Sequence, residues 1–456
     1  MKRRPKIIAE KYIGRLRFVL ALVVMCSCSV FKYSVIAQTE TTPKEWQLSA
    51  KPNIKLKLNA SAQLWYRYTE LNPGSLDGNQ NLQTSDFDLS LRRLRLGSRW
   101  SVGERFKFYT VLGENNYNKA STKSPLLKVL DLYGTYKFSD KINIALGKST
   151  WDGLSRYTAP ATTRMLALDL PLIAQPTLNK TDDVTRNLSA FVYGDFGRLN
   201  YRIGIIDPYS YSYTGASNVS PAEGISDFSY DKLKLQYTGY FKYDFLDKEY
   251  TSGPNFNGTF LGSKQVLALG AGFKYQPDAM SFLQEEELQY HDMRLWAVDV
   301  FTELPLHWSF ARAFTGYVGC FNYDFGPDYL RNIGVNNPAS GGDNTYLSLN
   351  GKGNAFPVMG TGTSVYWQLG LLLGQEHTKT IWKNIQIYNT GQWSNFDALN
   401  NNMFAYSFGV NWYINNQKMK LSIGGQNRPV FSTINDSSVE IDRKWMGVLQ
   451  FQYLLN

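Results

Sequence analysis

The alternation of apolar and polar residues is clearest in residues 85–100, which read SDFDLSLRRLRLGSRW. Side chains on a β-strand point alternately to its two faces, so the apolar residues up to Leu91 share one face. The alternation then shifts by one position and is regular again from Leu94, which predicts a one-residue β-bulge at the pair Arg92/Arg93. Opposite the apolar row, the polar face carries four arginines, namely Arg92, Arg93, Arg95 and Arg99.

Two architectures would accommodate such a strand. A water-soluble β-sandwich would bury the apolar row in its core and leave the arginines in bulk water. A membrane barrel would turn the apolar row to lipid and the arginine row to a water-filled interior. Residues 55–69 alternate in the same way, and residues 104–114 place Arg105 and Lys107 on the predicted polar face. The recurrence of this pattern along the chain favours the barrel.

About sixteen segments of this kind follow one another, a number at which barrels keep an aqueous channel. They cover residues 55–69, 85–100, 104–114, 126–138, 141–150, 187–196, 199–206, 230–245, 266–275, 291–303, 309–323, 358–373, 380–391, 403–414, 418–426 and 443–455. Long and short connections alternate between them, except that residues 246–264 are long where a short turn is expected. The expected fold is therefore all-β: a transmembrane antiparallel β-barrel with long extracellular loops and short periplasmic turns.

The N-terminal residues have the composition of a signal peptide. Residues 1–17 are rich in Lys and Arg, residues 18–25 are apolar, and Ala37 ends a stretch that a signal peptidase accepts. The expected organisation is a signal peptide at residues 1–37, a short polar lead-in at residues 38–54 and a single outer-membrane barrel at residues 55–456.

Charge and cysteine content change once the signal peptide is removed. Residues 1–37 carry eight Lys or Arg and one Glu, so their loss lowers the formal charge from +10 to +3 and leaves no argument for nucleic-acid binding. Cleavage also removes Cys26 and Cys28, on which the alternative of a lipoprotein signal would depend. Cys320 is then the lone cysteine, which excludes an intrachain disulfide and a metal site built on thiolates. No cofactor is expected, because the chain contains no phosphate-binding glycine loop or dinucleotide fingerprint.

Several short motifs follow one another within residues 86–171. Arg-Arg-Leu-Arg-Leu-Gly at residues 92–97 is followed by Phe-Lys at 106–107, Asp-Leu-Tyr at 131–133 and Gly-Lys at 147–148. This order resembles the phosphate-selective porin O and P family. The resemblance implies a sixteen-stranded, trimeric porin in the outer membrane of a Gram-negative bacterium, surrounded by outer-membrane lipid. Ser-Thr-Trp follows residues 147–148 where the family often has Pro-Phe, so phosphate selectivity does not follow from the resemblance alone.

Anion passage is the function that the arginine face favours. A guanidinium stays charged at any pH, offers forked donors to phosphate, and influences selectivity when it lines a pore. The expected function is an outer-membrane porin for small solutes that favours anions such as phosphate. Residues 151–186 are the candidate constriction, with a plain extracellular loop as the alternative. The candidate pore-lining residues are Arg92, Arg93, Arg95, Arg99, Arg105, Lys107, Lys148, Arg156 and Arg164.

Other functions remain open at this point. The arginines would serve only structure if they paired with carboxylates such as Asp88 and Asp131, and the porin would then be general and non-selective. A non-conducting structural barrel would share the same fold. An outer-membrane enzyme is less favoured, because His291, His307 and His377 stand in no hydrolase or metalloprotease motif.

Overall fold

The computed structural model describes residues 45–49, 53–121, 127–209, 221–231, 234–249, 253–374 and 384–455. The predicted signal-peptide cleavage after Ala37 and the side chain of His377 lie outside these residues. Among the described residues, no helix is long and apolar enough to cross a membrane.

In the part of the chain that the structure describes, sixteen antiparallel strands form a closed barrel, because the first strand pairs with both the second and the last. The strands are β1 (Ile54–Glu70), β2 (Ser85–Val102), β3 (Phe106–Tyr117), β4 (Lys128–Lys137), β5 (Asn143–Ser149), β6 (Asn187–Phe196), β7 (Leu199–Asp207), β8 (Gln236–Asp244), β9 (Val266–Gln284), β10 (Glu287–Pro305), β11 (Ala311–Asp324), β12 (Gly362–Leu373), β13 (Ile385–Phe396), β14 (Met403–Gln417), β15 (Met419–Ile434) and β16 (Ser437–Leu455). Two short strands extend the same sheet: Glu45–Ser49 pairs with the start of β1, and Asp227–Phe228 pairs with β9. The predicted all-β barrel is confirmed, and the polar lead-in contributes a strand of its own.

The two faces of the barrel wall have the polarity of a membrane protein. On β1, Leu64 is 43% exposed, whereas Arg67 is fully buried on the other face. On β2, Leu89 is 74% exposed and the adjacent Asp88 is buried. Apolar side chains therefore cover the outside and polar side chains the inside, which is the reverse of a water-soluble β-protein. This arrangement is that of strands whose outer face contacts lipid.

β2 contains the predicted bulge. Gln63 of β1 pairs with Arg93, and the next residue, Leu64, pairs with Leu91, so Arg92 is the extra residue. Arg92 and Arg93 are both buried, although neighbours on a regular strand point to opposite faces. The bulge thus keeps both guanidiniums out of the lipid.

At the long-loop end, two pairs of strands are longer than the sequence predicts. The turns 285–286 and 435–436 join β9 to β10 and β15 to β16, and all four turn residues have positive φ. Two-residue turns of this kind match the twist of the strands they join. The loops predicted at residues 276–290 and 427–442 are therefore wrong. These residues contain no Asn-Gly or Asp-Gly pair, which is the strongest sequence signal for such a turn.

The connection between β11 and β12, residues 325–361, folds over the interior. Its strand Phe356–Gly360 pairs with Leu330–Ile333, whereas the sequence predicts that this part already belongs to the wall strand from residue 358 onward. Two of its backbone carbonyls accept hydrogen bonds from Arg67 of β1, at 3.1 and 2.6 Å. The connection therefore covers part of the interior at the long-loop end.

Residues 150–186, here called the inner segment, leave the wall after β5 and cross the barrel interior before β6 begins. Inward-facing side chains from strands around the circumference donate hydrogen bonds to its backbone carbonyls. These donors are Gln63 (β1), Tyr323 (β11), Asn411 (β14), Lys420 (β15) and Gln452 (β16). A loop outside the barrel could not reach all of these residues, so the inner segment lies within it.

The connection between β8 and β9, here called the β8–β9 connection, accounts for the unexpected long interval at residues 246–264. It pairs with the inner segment: the N–H of Ala161 donates to the carbonyl of Phe256 at 2.8 Å, and the N–H of Phe256 donates to the carbonyl of Ala159 at 3.0 Å. A short turn would stay at the rim and could not make these contacts. The interval is long because it forms part of the filled interior.

An apolar cluster fills the side of the interior next to β9–β13. Leu295 and Phe321 of the wall belong to this cluster together with Ile173 of the inner segment and Phe356 of the connection between β11 and β12. β10 carries apolar side chains on both faces, since Leu295 is 2% exposed on the inside and Trp296 is 51% exposed on the outside. This side of the interior is therefore packed in the manner of a protein core.

We expect a charge on the outward face of β2 to impair assembly. Leu96→Arg places a guanidinium at a position that is 41% exposed on the lipid side, which costs about 2–4 kcal/mol near the membrane midplane. The measurement is the fraction of protein that folds into lipid vesicles, scored by heat-modifiable migration in gels. Leu96→Phe keeps the apolar character and serves as the control. Equal folding of both variants would contradict a lipid-facing outer row.

Candidate functional site

The two arginines of the bulge hold one carboxylate of the inner segment. Arg92 binds both oxygens of Asp169, through Nε at 3.0 Å and Nη2 at 2.9 Å, and Arg93 binds the same carboxylate. The guanidinium of Arg92 also lies over the Trp65 ring, 5.3 Å from its centroid. Burial alone would raise the pKa of Asp169, but the two guanidiniums hold it below its usual range. Asp169 is therefore charged at neutral pH.

Arg95 and Arg186 continue the row of guanidiniums. Arg95 donates to the carbonyl oxygens of Leu94 (2.7 Å) and Glu114 (2.9 Å), and it forms no ion pair with a carboxylate of the described residues. Arg186, at the end of the inner segment, binds Asp131 of β4 through Nε and Nη2, each at 3.2 Å. The wall formed by β2, β4 and the end of the inner segment is here called the basic wall.

A cavity of about 230 Å³ lies along the basic wall. Arg93, Arg95 and Arg186 line it, and Asp131 is the acidic residue among the described residues of the lining. Hydroxyl groups and backbone of residues 160–163 contribute further polar surface. The lining therefore has more guanidiniums than carboxylates, and an excess of positive charge in a confined space raises the local concentration of anions.

Two acidic residues of β10 lie within the packed side of the interior. Asp299 of β10 accepts hydrogen bonds from the backbone N–H of Arg156 (2.7 Å) and from the hydroxyl of Tyr240 (2.8 Å). Glu303, on the same face of β10, accepts one from the backbone N–H of Phe260 at 2.8 Å. Both carboxylates are buried and do not line the cavity. They hold the inner segment and the β8–β9 connection in place.

Arg156 was predicted to line the pore, but the structure gives it a structural position. Its guanidinium is fully buried, binds both oxygens of Glu249 at 2.6 and 2.5 Å, and lies 3.6 Å from the centroid of the Phe301 ring. Lys242 of β8 binds the same carboxylate at 3.2 Å. Arg156 does not line the cavity, and it fastens the β8–β9 connection to the inner segment.

The other predicted residues differ in placement. Lys148 pairs with an aspartate of the inner segment at 3.0 Å, and Lys107 and Arg99 are partly exposed on β3 and β2. Arg105 lies exposed in the turn before β3 and not on the strand face where the sequence places it. Arg164 is exposed on the inner segment. The structure thus brings Arg92, Arg93 and Arg95 together. Arg99 and Lys107 are neighbours on the paired strands β2 and β3, away from that group, and Lys148, Arg105 and Arg156 lie at separate positions.

Several further interior cations were missed by the sequence reasoning, and Lys420 and Arg202 are two examples. Lys420 of β15 is 1% exposed and donates to the carbonyl of Met165 at 3.2 Å. Arg202 of β7 is 1% exposed and lies against the rings of Trp151 (4.8 Å) and Phe256 (4.4 Å). Both occupy inward positions on regularly alternating strands, so the alternation could have assigned their face. It could not have shown that the inner segment and the β8–β9 connection cover them.

Residues 58–194 match the family described as Phosphate-selective porin O and P. The matched region contains the bulge of β2, Asp131 and the inner segment, and it confirms the resemblance inferred from the motifs. No curated protein matches the sequence.

Among solved structures, the chain is similar to the Salmonella typhi OmpF complex with daunomycin, with 8% identity, 90% of this chain and 100% of that chain covered, and a TM-score of 0.49. It is also similar to an anion-selective porin from Comamonas acidovorans, with 10% identity, coverage of 88% and 100%, and a TM-score of 0.47. The outer membrane channel DcaP of Acinetobacter baumannii is a third, with 13% identity, coverage of 89% and 99%, and a TM-score of 0.48. The closed strand pairing of this chain establishes its fold independently of these likenesses.

Glu249→Gln tests the interior ion pair. Burial alone would raise the pKa of Glu249, but Arg156 and Lys242 lower it to about 2. Removing one partner of a buried pair costs about 3–5 kcal/mol, so we expect the free energy of unfolding to fall by this order at pH 7. Because the pKa of Glu249 is lower in the folded than in the unfolded protein, its ionisation stabilises the fold fully at pH values above the ordinary glutamate pKa of about 4.3. This stabilisation is lost as the pH falls through about 2. The difference between wild type and variant should therefore shrink on acidification.

The measurement is urea-induced unfolding in detergent micelles, followed by tryptophan fluorescence at neutral pH and at about pH 2, where the charge of Glu249 is half lost. Glu104→Gln changes an exposed residue of the turn after β2 and serves as the control, with little effect at either pH. A penalty for Glu249→Gln that is the same at both pH values would contradict an ionised Glu249.

Proposed function

We propose that this chain, whose residues 58–194 match the phosphate-selective porin O and P family, is an outer-membrane porin that favours small anions such as phosphate. The observation that carries the proposal is the cavity of about 230 Å³ along the basic wall of a closed barrel. A closed barrel can cross a membrane because no strand edge is left unpaired in lipid. The family match and the fold point to a channel rather than an enzyme.

Anion selectivity rests on the charge and geometry of the basic wall. At physiological salt, a charge acts over about 8 Å, so Arg93, Arg95 and Arg186 act together on a solute in the cavity. Their planar guanidiniums can donate two parallel hydrogen bonds to phosphate or carboxylate oxygens. Asp299 and Glu303 do not line the cavity, since backbone and side-chain donors already bind them in the packed side of the interior.

The filled interior supports a narrow path for small solutes. The inner segment, the β8–β9 connection and residues 325–361 all occupy space that a wide, general porin would leave to water. The filled interior is also the observation that favours the alternative to a porin, a non-conducting structural barrel. Single-channel recording from the purified mature protein separates the two, because only a porin gives discrete ionic conductance steps.

An enzymatic site would have one feature in its favour. The ring Nε2 of His291 lies 2.7 Å from an Oδ1 oxygen of Asp324 near the long-loop end, as a base and its orienting acid would. His307 is exposed at the opposite end of β10 and belongs to no such pair among the described residues. The family match and the barrel support the channel over this reading.

The route to the membrane and the assembly are proposed from the sequence. Residues 1–37 act as a signal peptide, and the mature chain enters the outer membrane of a Gram-negative bacterium. The family resemblance supports a homotrimer surrounded by outer-membrane lipid.

Cell fractionation with N-terminal sequencing tests the export proposal. We expect the protein in the outer-membrane fraction with Gln38 as its first residue, because cleavage after Ala37 fits the small-residue preference of signal peptidase. Recovery as a soluble periplasmic protein, or with Met1 still present, would contradict it.

Arg95→Ala should lower the anion-to-cation permeability ratio. One charge about 8 Å from a solute changes its energy by roughly 0.5 kcal/mol in water, which corresponds to about a twofold change in the ratio. The effect should be larger at low than at high salt, because salt screens the charge. The measurement is the reversal potential across a planar bilayer in a KCl gradient. The double variant Arg93→Ala/Arg95→Ala should lower the ratio further.

Arg105→Ala removes the same charge from an exposed turn outside the cavity and is the matched control, with an unchanged ratio expected. If Arg95→Ala and the double variant fold normally and keep the wild-type permeability ratio, the proposal of anion preference is refuted. The arginines would then be structural, and the porin general.

A further inference from the structure

The middle of the inner segment has one ionic anchor. In residues 157–179 the charged residues are Arg164, which is exposed, and Asp169, which is held by Arg92 and Arg93. Elsewhere in this stretch, the wall is contacted through neutral backbone carbonyls. The attachment of the stretch to the basic wall therefore depends on the Asp169 carboxylate.

The chain at Leu170, here called the partition, lies between two cavities. One cavity of about 100 Å³ is lined by Trp65 and Asp169, among others. The other, of about 230 Å³, is lined by Arg95 and its neighbours on the basic wall. Leu170 lines both cavities, so the chain at this residue lies between them. Asp169, the residue before Leu170, therefore lies at the boundary between the two cavities.

Asp169 occupies the donors that an anionic solute would use. Arg92 offers it Nε and Nη2, and Arg93 offers it Nη2, which is a forked arrangement for an anion with several oxygen atoms. Loss of the carboxylate without a replacement would leave two buried guanidiniums unpaired, which is strongly unfavourable. A polyatomic oxyanion can provide equivalent acceptors. Chloride, a single atom, cannot match donors that are aimed at two separate oxygen atoms.

We propose that Asp169 is a built-in competitor for the guanidiniums of Arg92 and Arg93, which keeps the partition closed until an oxyanion takes its place. This inference rests on the proposed function, because it assigns the control of the same basic wall. Asp169 is then a specificity-determining residue: it excludes anions that cannot accept hydrogen bonds from both guanidiniums. The channel should discriminate polyatomic oxyanions from halides more strongly than the charge of the wall alone would allow.

Asp169→Asn tests the competitor directly, since it keeps the shape of the side chain and removes its charge. We expect inorganic phosphate to block the chloride current of this variant at a concentration about tenfold lower than in wild type, because the donors of Arg92 and Arg93 are less strongly occupied. The readout is the half-blocking phosphate concentration in planar bilayers. Phosphate binding to the purified protein, followed by fluorescence of Trp65 beside Arg92, gives the same quantity without conductance.

Asp131→Asn is the matched control, because Asp131 lies on the same wall and binds Arg186 but neither arginine of the bulge. Asp131→Asn removes the same charge. It should lower the half-blocking phosphate concentration by less than about threefold if the tighter block in Asp169→Asn comes from freeing the donors of Arg92 and Arg93 and not from the change in charge alone. Asp169→Glu keeps the competitor and should retain the wild-type value. Equal shifts in Asp169→Asn and Asp131→Asn, or no shift in Asp169→Asn, would overturn the proposal.

A second measurement uses the wild-type Asp169 and does not depend on the folding of its variants. Leu170→Cys is combined with Cys320→Ser, and the rate of labelling by a thiol reagent is compared in phosphate and in chloride at equal ionic strength. Leu170 is 9% exposed, so we expect slow labelling in chloride and labelling about fivefold faster in phosphate, as displacement of Asp169 frees the partition. Equal rates in the two salts would refute the competitor.

These experiments separate the two proposals. Anion-selective conductance together with phosphate-independent labelling would refute the competitor and leave the proposed function standing. Conductance without anion preference, together with faster labelling in phosphate, would refute the proposed anion preference. It would still support the displacement of Asp169 by an oxyanion.

Discussion

A single extra residue in β2, the bulge at Arg92, determines how the barrel interior is arranged. In a regular strand, Arg92 and Arg93 would face opposite sides, and one of them would meet lipid at a cost of about 2–4 kcal/mol near the midplane. The bulge turns both inward, where the carboxylate of Asp169 binds both. Buried charges are stable only when they are paired and hydrogen-bonded. The bulge therefore places two guanidiniums where the inner segment can pair with them, and this pairing anchors the middle of the inner segment to the wall.

The rest of the interior combines ionic anchors with apolar packing. Lys274 binds Asp152 near the start of the inner segment, and Asp131 binds Arg186 at its end, while the apolar cluster fills the space toward β9–β13. Such packing requires apolar residues on both faces of the strands that it touches, which β10 provides. A strand between lipid and a water-filled channel would be apolar on one face alone. The apolar side chains on both faces of β10 are therefore evidence that protein, and not water, fills this part of the barrel.

The segments that fill the barrel also determine which charged side chains of the interior a solute can reach. Carboxylates such as Asp299 and Glu303 are enclosed and bound by backbone N–H groups of the inner segment and the β8–β9 connection, whereas Arg93 and Arg95 line a cavity. An interior with similar numbers of acidic and basic groups can thus present mostly positive charge to a solute. The proposed anion preference depends on which groups remain accessible, a property of the packing rather than of net charge.

Local sequence pattern was sufficient to establish the barrel, its faces and the bulge, because strand alternation depends on backbone geometry that adjacent residues share. It misjudged the turns at 285–286 and 435–436, whose residues carry no strong turn signal, and it gave Arg156 an accessible role although the guanidinium is fully buried. The charge pairs of the interior could not be derived in the same way. Asp169 is 77 residues from Arg92 in the chain, and Glu249 is 93 residues from Arg156. Contacts over such separations depend on the path of the inner segment and the β8–β9 connection through the closed barrel, which no local pattern encodes.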